Sequence, residues 1–246
     1  MFKQTVFFLA ALIMSGCSSS SSHYQNQIET LAEEWVISGW TGKQAAYDMV
    51  QENMDENGVN NAARYVGFGF NWNPDAEEGM IVTNVMSGGP ADGVLQVGDE
   101  FLSVNGVVVT EENYDTGKLS FQGKPGVPVK ATILRDGETL NISVTRGIVS
   151  PMYSKQRILE SVSMSSEENW NAGLLDYKIV ETVSDPSKRV VYVKTWTKYN
   201  DDVSGLDAES YSLVRLEFTP EGKVLSVNQM SEDELVLRQT GWDITR

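Results

Sequence analysis

Side chains able to carry covalent or acid–base chemistry are scarce in this chain. His23 is the only histidine and adjoins a serine run, and Cys17 is the only cysteine. A Ser-His-Asp relay needs an imidazole inside the folded body, and a zinc site needs a set of thiolates or imidazoles. Neither set is available, and no metal, cofactor or catalytic residue is expected. No G-x-S-x-G or phosphate-binding glycine motif occurs. The runs Glu33-Glu34, Asp201-Asp202 and Glu232-Asp233-Glu234 read as solvated loop surface. The expectation is therefore a protein that is not an enzyme. Backbone chemistry remains. In "RYVGFGFNW", residues 64–72, Gly67 and Gly69 are each followed by Phe inside a strand pattern. Glycine weakens a strand interior. Two readings are open: a bulge or bend, or a ligand that must approach where a Cβ would stand in its way.

The chain has 246 residues, enough for one large or two small domains. Its formal net charge of −15 argues against a nucleic-acid partner. At the N-terminus Lys3 precedes an apolar run, Val6–Met14, that is too short to span a bilayer. This is the layout of a secretory signal over residues 1–16. "MSGC", ending on Cys17, resembles a bacterial lipobox, with Met14 where Leu is usual. The resemblance implies acylation of Cys17, palmitate included, and a membrane attachment through several acyl chains. Ser18, rather than Asp, implies sorting to the outer membrane, facing the periplasm. Residues 17–23 then read as a flexible tether.

Residues 24–60 read as helical. Ile28, Leu31, Ala32, Trp35 and Val36 have the spacing of one buried face. "SGWTG" breaks the pattern, Thr41 and Gln44 suggest a capping box for a second helix, and Gly58 suggests its end. That helix would turn Ala46, Met49 and Val50 inward. Residues 64–148 are β-rich, with an Asn105-Gly106 turn and an alternating hairpin closed by Asp136-Gly137. Residues 150–246 begin helical, with Ile158, Leu159, Val162 and Trp170 inward and a Ser165–Glu168 capping box. Four strands follow, over 176–183, 189–199, 209–219 and 223–230. The class is α+β.

Two resemblances arise from these residues. "GFGF", "GGPADGVLQVGDEFLSVNG" and "GKPGVPVKATILRDGETLNISVTRG", in that order, resemble a bacterial PDZ domain, a partly open β-barrel with short helices. The resemblance implies that Gly67, Phe68, Gly69 and Phe70 turn backbone amides toward a peptide's terminal carboxylate, with the peptide adding as a strand. A Tyr-led register, Tyr65–Phe68, is also open. Arg64 would add charge and Trp72 would flank the groove. The opposite wall would be a helix over 110–121, with Tyr114 and Leu119 inward and Gly117 interrupting it. The flanking segments resemble, more weakly, a SnoaL-like or nuclear transport factor-like cone, with the PDZ segment inserted between its two pieces. Trp35, Trp40, Trp170 and Trp196 would then line a pocket, or else pack as core. Two functions follow. One is a membrane-anchored periplasmic adaptor that takes protein C-termini or extended segments. The other is a small-ligand-binding or cyclase/isomerase-like cone in which the PDZ part is a structural insert.

Overall fold

The computed structural model describes residues 16–72 and 79–242. Residues 1–15, which carry most of the signal-peptide reading, lie outside them. In chain order the elements are helices α1 (Gly16–Thr41) and α2 (Lys43–Asn53), and strands β1 (Met54–Asn61), β2 (Tyr65–Gly67), β3 (Phe70–Trp72), β4 (Val82–Val85), β5 (Glu100–Val104) and β6 (Val107–Val108). Helix α3 (Glu111–Asp115) precedes β7 (Pro128–Arg135), β8 (Glu138–Thr145), β9 (Gly147–Val149) and β10 (Met152–Ser154). Helix α4 (Lys155–Met164), strands β11 (Leu174–Asp185), β12 (Val190–Asn200), β13 (Asp207–Phe218) and β14 (Val224–Ser231), and helix α5 (Asp233–Gln239) complete the chain. The fold is α+β. It divides into two compact units. One joins the residues up to Asn60 to those from Tyr153 onward, and the other is Asn61–Met152.

The first unit is a six-stranded sheet, β10-β1-β14-β13-β12-β11, with α1 across one face. The long strands alternate in burial. Val191, Val193, Val214 and Leu216 pack with Ile28, Ala32, Val36 and Phe218 in one core. Tyr192, Tyr211 and Leu213 stand on the other face and are exposed. Side chains there make their own contacts, with Lys178 over Trp196 and Lys194 over Tyr211. Polar groups tie the two sequence-distant pieces together. Buried Lys155 donates to the Met54 carbonyl at 2.9 Å and to Glu56 at 2.7 Å. Lys43 donates to the Ser163 and Ser165 carbonyls at the end of α4, which otherwise lack helical partners.

Several local expectations fail in this unit because tertiary pairing outweighs local signals. Helix α1 begins at Gly16 and runs through the stretch read as a tether. Thr41 does not cap α2: its hydroxyl donates to the Ile37 carbonyl inside α1, and Gly42 stands at the cap without a side-chain bond. The second helix stops at Asn53, and residues 54–61 become a strand between β10 and β14. Gly58 is needed there for a different reason than a helix end. A Cβ would stand 3.0 Å from the Val224 carbonyl oxygen of β14 and closer still to Met54 and Asp55. Ser165 ends α4 and starts no further helix. The acidic run 232–234 is exposed, as expected of solvated surface, but it starts a helix: Asp233 and Glu234 occupy the first turn of α5, where the helix dipole favours them.

The second unit carries three small sheets, β6-β5-β7-β8, β2-β9 and β3-β4, and no closed barrel among the described residues. Asn105 (φ 48°) with Gly106 (φ 80°), and Asp136 (φ 51°) with Gly137 (φ 83°), form the two-residue turns of β5–β6 and β7–β8; positive φ at both positions matches strand twist. Phe68, Phe101, Val104, Val129, Ile133 and Val144 form the core. One buried ion pair braces it. Arg135 Nε and Nη2 each donate to Asp99 at 2.6 Å, and Nη2 also reaches the Val94 carbonyl at 2.9 Å. Burial pushes the Asp99 pKa up. The Arg135 fork, the Gln96 amide and the Arg135 charge outweigh burial and hold it below the usual carboxylate range.

A depressed carboxylate pKa adds stability that is present above its unfolded value, near pH ~4, and is lost as pH falls through the folded value. Asp99→Asn should therefore cost about 3 kcal/mol at neutral pH and flatten the acid side of the stability profile. Urea unfolding from pH 7 down to 3 measures both effects.

Candidate functional site

The "GFGF" stretch spans the end of β2, a two-residue link and the start of β3. Tyr65, Val66 and Gly67 pair with Val149, Ile148 and Gly147 of β9. The Phe68 carbonyl then accepts from the Ala91 amide, and the Gly69 carbonyl from the Met86 amide, both at 2.9 Å. In a trans peptide the N–H points opposite to the C=O. The Gly69 and Phe70 amides therefore point away from the 86–91 turn. Among the described residues, nothing accepts from the Phe68 or Gly69 amide.

Strand β3 continues this open line. The Met86-to-Gly69 bond places the Phe70–Val85 pair at a non-hydrogen-bonded position of the β3–β4 ladder. There a residue's own N–H and C=O face the other edge of its strand. Strand β3 has only β4 beside it among the described residues. Among the described residues nothing accepts from the amides of residues 68 to 70. Phe68 and Gly69 are themselves buried, so the half-buried Phe70, with its N–H and C=O on the unpartnered side of β3, is the residue most open to an added strand.

The glycines answer different needs. Gly67 lies under the Tyr65 ring: a Cβ would stand 2.7 Å from that ring and 3.3 Å from the Phe121 carbonyl oxygen. Gly69 has φ +84°, and a Cβ would stand 3.3 Å from a Val149 methyl.

The remaining sequence candidates separate. Trp72 and Tyr114 come together, edge to face at 4.8 Å between centroids, across the gap between β3 and α3. Helix α3 has five residues and is capped by Thr110, whose hydroxyl accepts from the Asn113 amide at 3.1 Å. The helix expected over 110–121 is therefore much shorter, because the chain reverses at Gly117 with φ +67°. Leu119 falls beyond the helix and is buried in the core, so it is not a groove wall. Arg64 is exposed and has no ion pair or hydrogen bond among the described residues. Phe121 went unnoticed in the sequence. The sequence pattern places it last in the expected helix, whereas Leu119 and Phe121 lie in an irregular segment, both turned toward apolar neighbours. Gly117 was the signal that the helix ends earlier.

A second feature lies in the first unit. A cavity of about 640 Å³ opens between α1, α2, α4 and the sheet. Trp35, Trp40 and Trp170 line it, with Ser38, Asn60, Thr195, Thr197, Ser212 and Gln229, and none of the lining side chains is ionisable. Trp196 lies on the opposite face because Thr195 and Thr197 point inward and strand side chains alternate. Trp170 Nε1 donates to the Gly39 carbonyl and Asn171 to the Trp40 carbonyl, fixing this wall. Among the described residues no group of His, Cys, Asp and Glu could hold a metal ion. None of their helices is long and apolar enough to cross a membrane.

The PDZ domain family matches residues 58–145, so the chain carries a PDZ domain. No curated protein matches the sequence. Among solved structures, the HtrA-type protease AlgW with a decapeptide is 18% identical, with a TM-score of 0.30 over 44% of this chain and 35% of that one. The HtrA3 PDZ domain bound to a phage-derived ligand is 20% identical, with a TM-score of 0.27 over 38% of this chain and 92% of that one. A phenazine biosynthesis-related protein from Pseudomonas aeruginosa is 10% identical, with a TM-score of 0.40 over 93% of this chain and 94% of that one. The chain spans about a third of the length of the HtrA-type protease structures it matches. At these scores the structural likenesses do not bear on function.

Substituting Gly69 should harm folding as well as any binding. Gly69→Ala places a side chain at φ +84° against Val149 and should cost about 1–3 kcal/mol. Chemical denaturation reads this directly.

Proposed function

We propose that the PDZ domain binds the free C-terminus of a protein, or an extended segment of one, as a strand added to β3. The single observation that carries this reading is the side of β3 that has no partner strand among the described residues, where Phe70 turns its N–H and C=O and where the buried Phe68 and Gly69 amides just before it meet no acceptor. Such donors suit a carboxylate, since bonds to a charged acceptor are the strong ones. The aromatic pair Trp72–Tyr114 borders the same strand, and the exposed Arg64 precedes β2. Peptides with a free C-terminus should bind the purified chain. Amidation of the terminus should weaken them by roughly ten- to a hundredfold, the worth of a charge-assisted hydrogen bond. Calorimetric titration of matched acid and amide peptides tests this, and equal affinities would refute carboxylate capture.

The adaptor is held at the outer membrane, on its periplasmic side, by acyl chains on Cys17. The signal-like run before Cys17 and its place as the chain's sole thiol support this. Cys17→Ser should abolish incorporation of labelled palmitate in a Gram-negative host and release the protein from the membrane fraction. Label retained by the variant would refute the anchor.

A second reading rests on the cavity in the first unit. Its size suits a small molecule, and its indoles and neutral polar groups favour an uncharged, flat ligand. The neutral lining supports binding and supplies no general acid or base. Native mass spectrometry of the freshly purified chain should show an adduct that is lost on denaturation.

A further inference from the structure

The proposed groove also carries an observation about which C-terminus it takes. A chain added along β3 with its carboxylate at the Phe70 amide has its last residue opposite Phe70. Residues directly opposite one another on antiparallel strands put their side chains on the same face. The terminal side chain therefore falls on the face that holds the Phe70 ring.

Aromatic rings already crowd that face, where Phe70 and Phe121 are only partly exposed. The Phe121 ring meets Phe70 at 5.1 Å between centroids, Phe68 at 5.4 Å and Phe101 at 5.0 Å, at interplanar angles of 68°, 90° and 78°. These are edge-to-face contact distances, and no further side chain fits between the rings. The backbone route explains the placement. Helix α3 ends after five residues, Gly117 reverses the chain, and Leu119 anchors it in the core. The Phe121 carbonyl is thereby brought to within 3.3 Å of the point where a Cβ on Gly67 would stand.

We propose that Phe121 restricts the site to chains ending in a small residue, glycine, alanine or serine, and excludes bulky terminal side chains. This rests on the peptide-binding reading above and names its selectivity. Phe121 takes no part in holding the carboxylate. It acts by occupying the space that a larger terminal side chain needs.

The test uses the full chain and labelled peptides that differ only in their last residue, Gly, Ala, Leu or Phe, each as free acid and as amide. Fluorescence anisotropy should show the Ala-ending acid binding about tenfold or more tighter than the Phe-ending one, the discrimination expected of an apolar pocket of fixed size. Phe121→Ala should bring the Leu- and Phe-ending peptides to within about threefold of the Ala-ending one, by strengthening the bulky peptides. Phe121→Leu, which keeps an apolar side chain in the cluster, should move the ratio the same way by less, and it serves if Phe121→Ala does not fold. Failure of every acid peptide to bind a natively folded chain would overturn the peptide-binding reading and this inference with it. Binding that is sensitive to amidation but ranks Phe-ending peptides equal to or above Ala-ending ones would overturn the size selection alone. A preference for small residues that persists unchanged in both variants would remove Phe121 as its cause.

Discussion

Strand β1 holds the architecture together. It lies between β10 and β14, so Met54–Asn61 completes a sheet whose long strands come from the other end of the chain. Residues 24–53 alone could not bury Ile28, Ala32 and Trp35, because a helix pair of that length has too little core. Packed on β12 and β13 they reach a common interior. The same placement sets the exits of the intervening segment. Strands β1 and β10 are neighbours, so residues 61 and 152 leave the sheet side by side, and the Ala62 amide bonds the Pro151 carbonyl at 3.1 Å. A compact unit with adjacent ends can be accommodated between two halves of another.

The two candidate sites differ in kind. The edge of β3 offers main-chain groups, which bind any extended chain and leave selection to the side chains around them. Those side chains are aromatic: Phe68, Phe70 and Phe121 at one end, Trp72 and Tyr114 at the other. The cavity of the first unit offers indole faces and neutral polar groups between its helices and the sheet. Neither arrangement brings together the carboxylate and imidazole pairs on which proton transfer usually depends.

Much of this was legible in order and spacing. Asp136-Gly137 and Asn105-Gly106 marked tight hairpins because few residues besides Gly, Asn and Asp adopt positive φ without strain. The alternation along residues 189–199 marked a strand with two unlike faces. The period through Ile28, Ala32 and Val36 marked the buried stripe of α1. The motif order across residues 64–148 pointed to the PDZ domain. Boundaries were less legible. "MDENGVNN" has weak strand propensity, and only its neighbours β10 and β14 make it a strand. Thr41 and Ser165 carried capping signals that the backbone did not use.

What the sequence determined by itself was local: the turns, the buried faces, the shortage of catalytic side chains, and glycines where the main chain has to be bare. Each depends on the chemistry of one residue and its near neighbours. The tertiary structure alone decided which edge of β3 lacks a partner strand among the described residues, that Trp72 meets Tyr114, that Phe121 packs beside Phe70, and that three of four candidate tryptophans share a cavity. These are meetings between residues far apart in sequence. No local pattern encodes them, because they depend on how strands and helices pair and on which side of a strand each side chain finally stands.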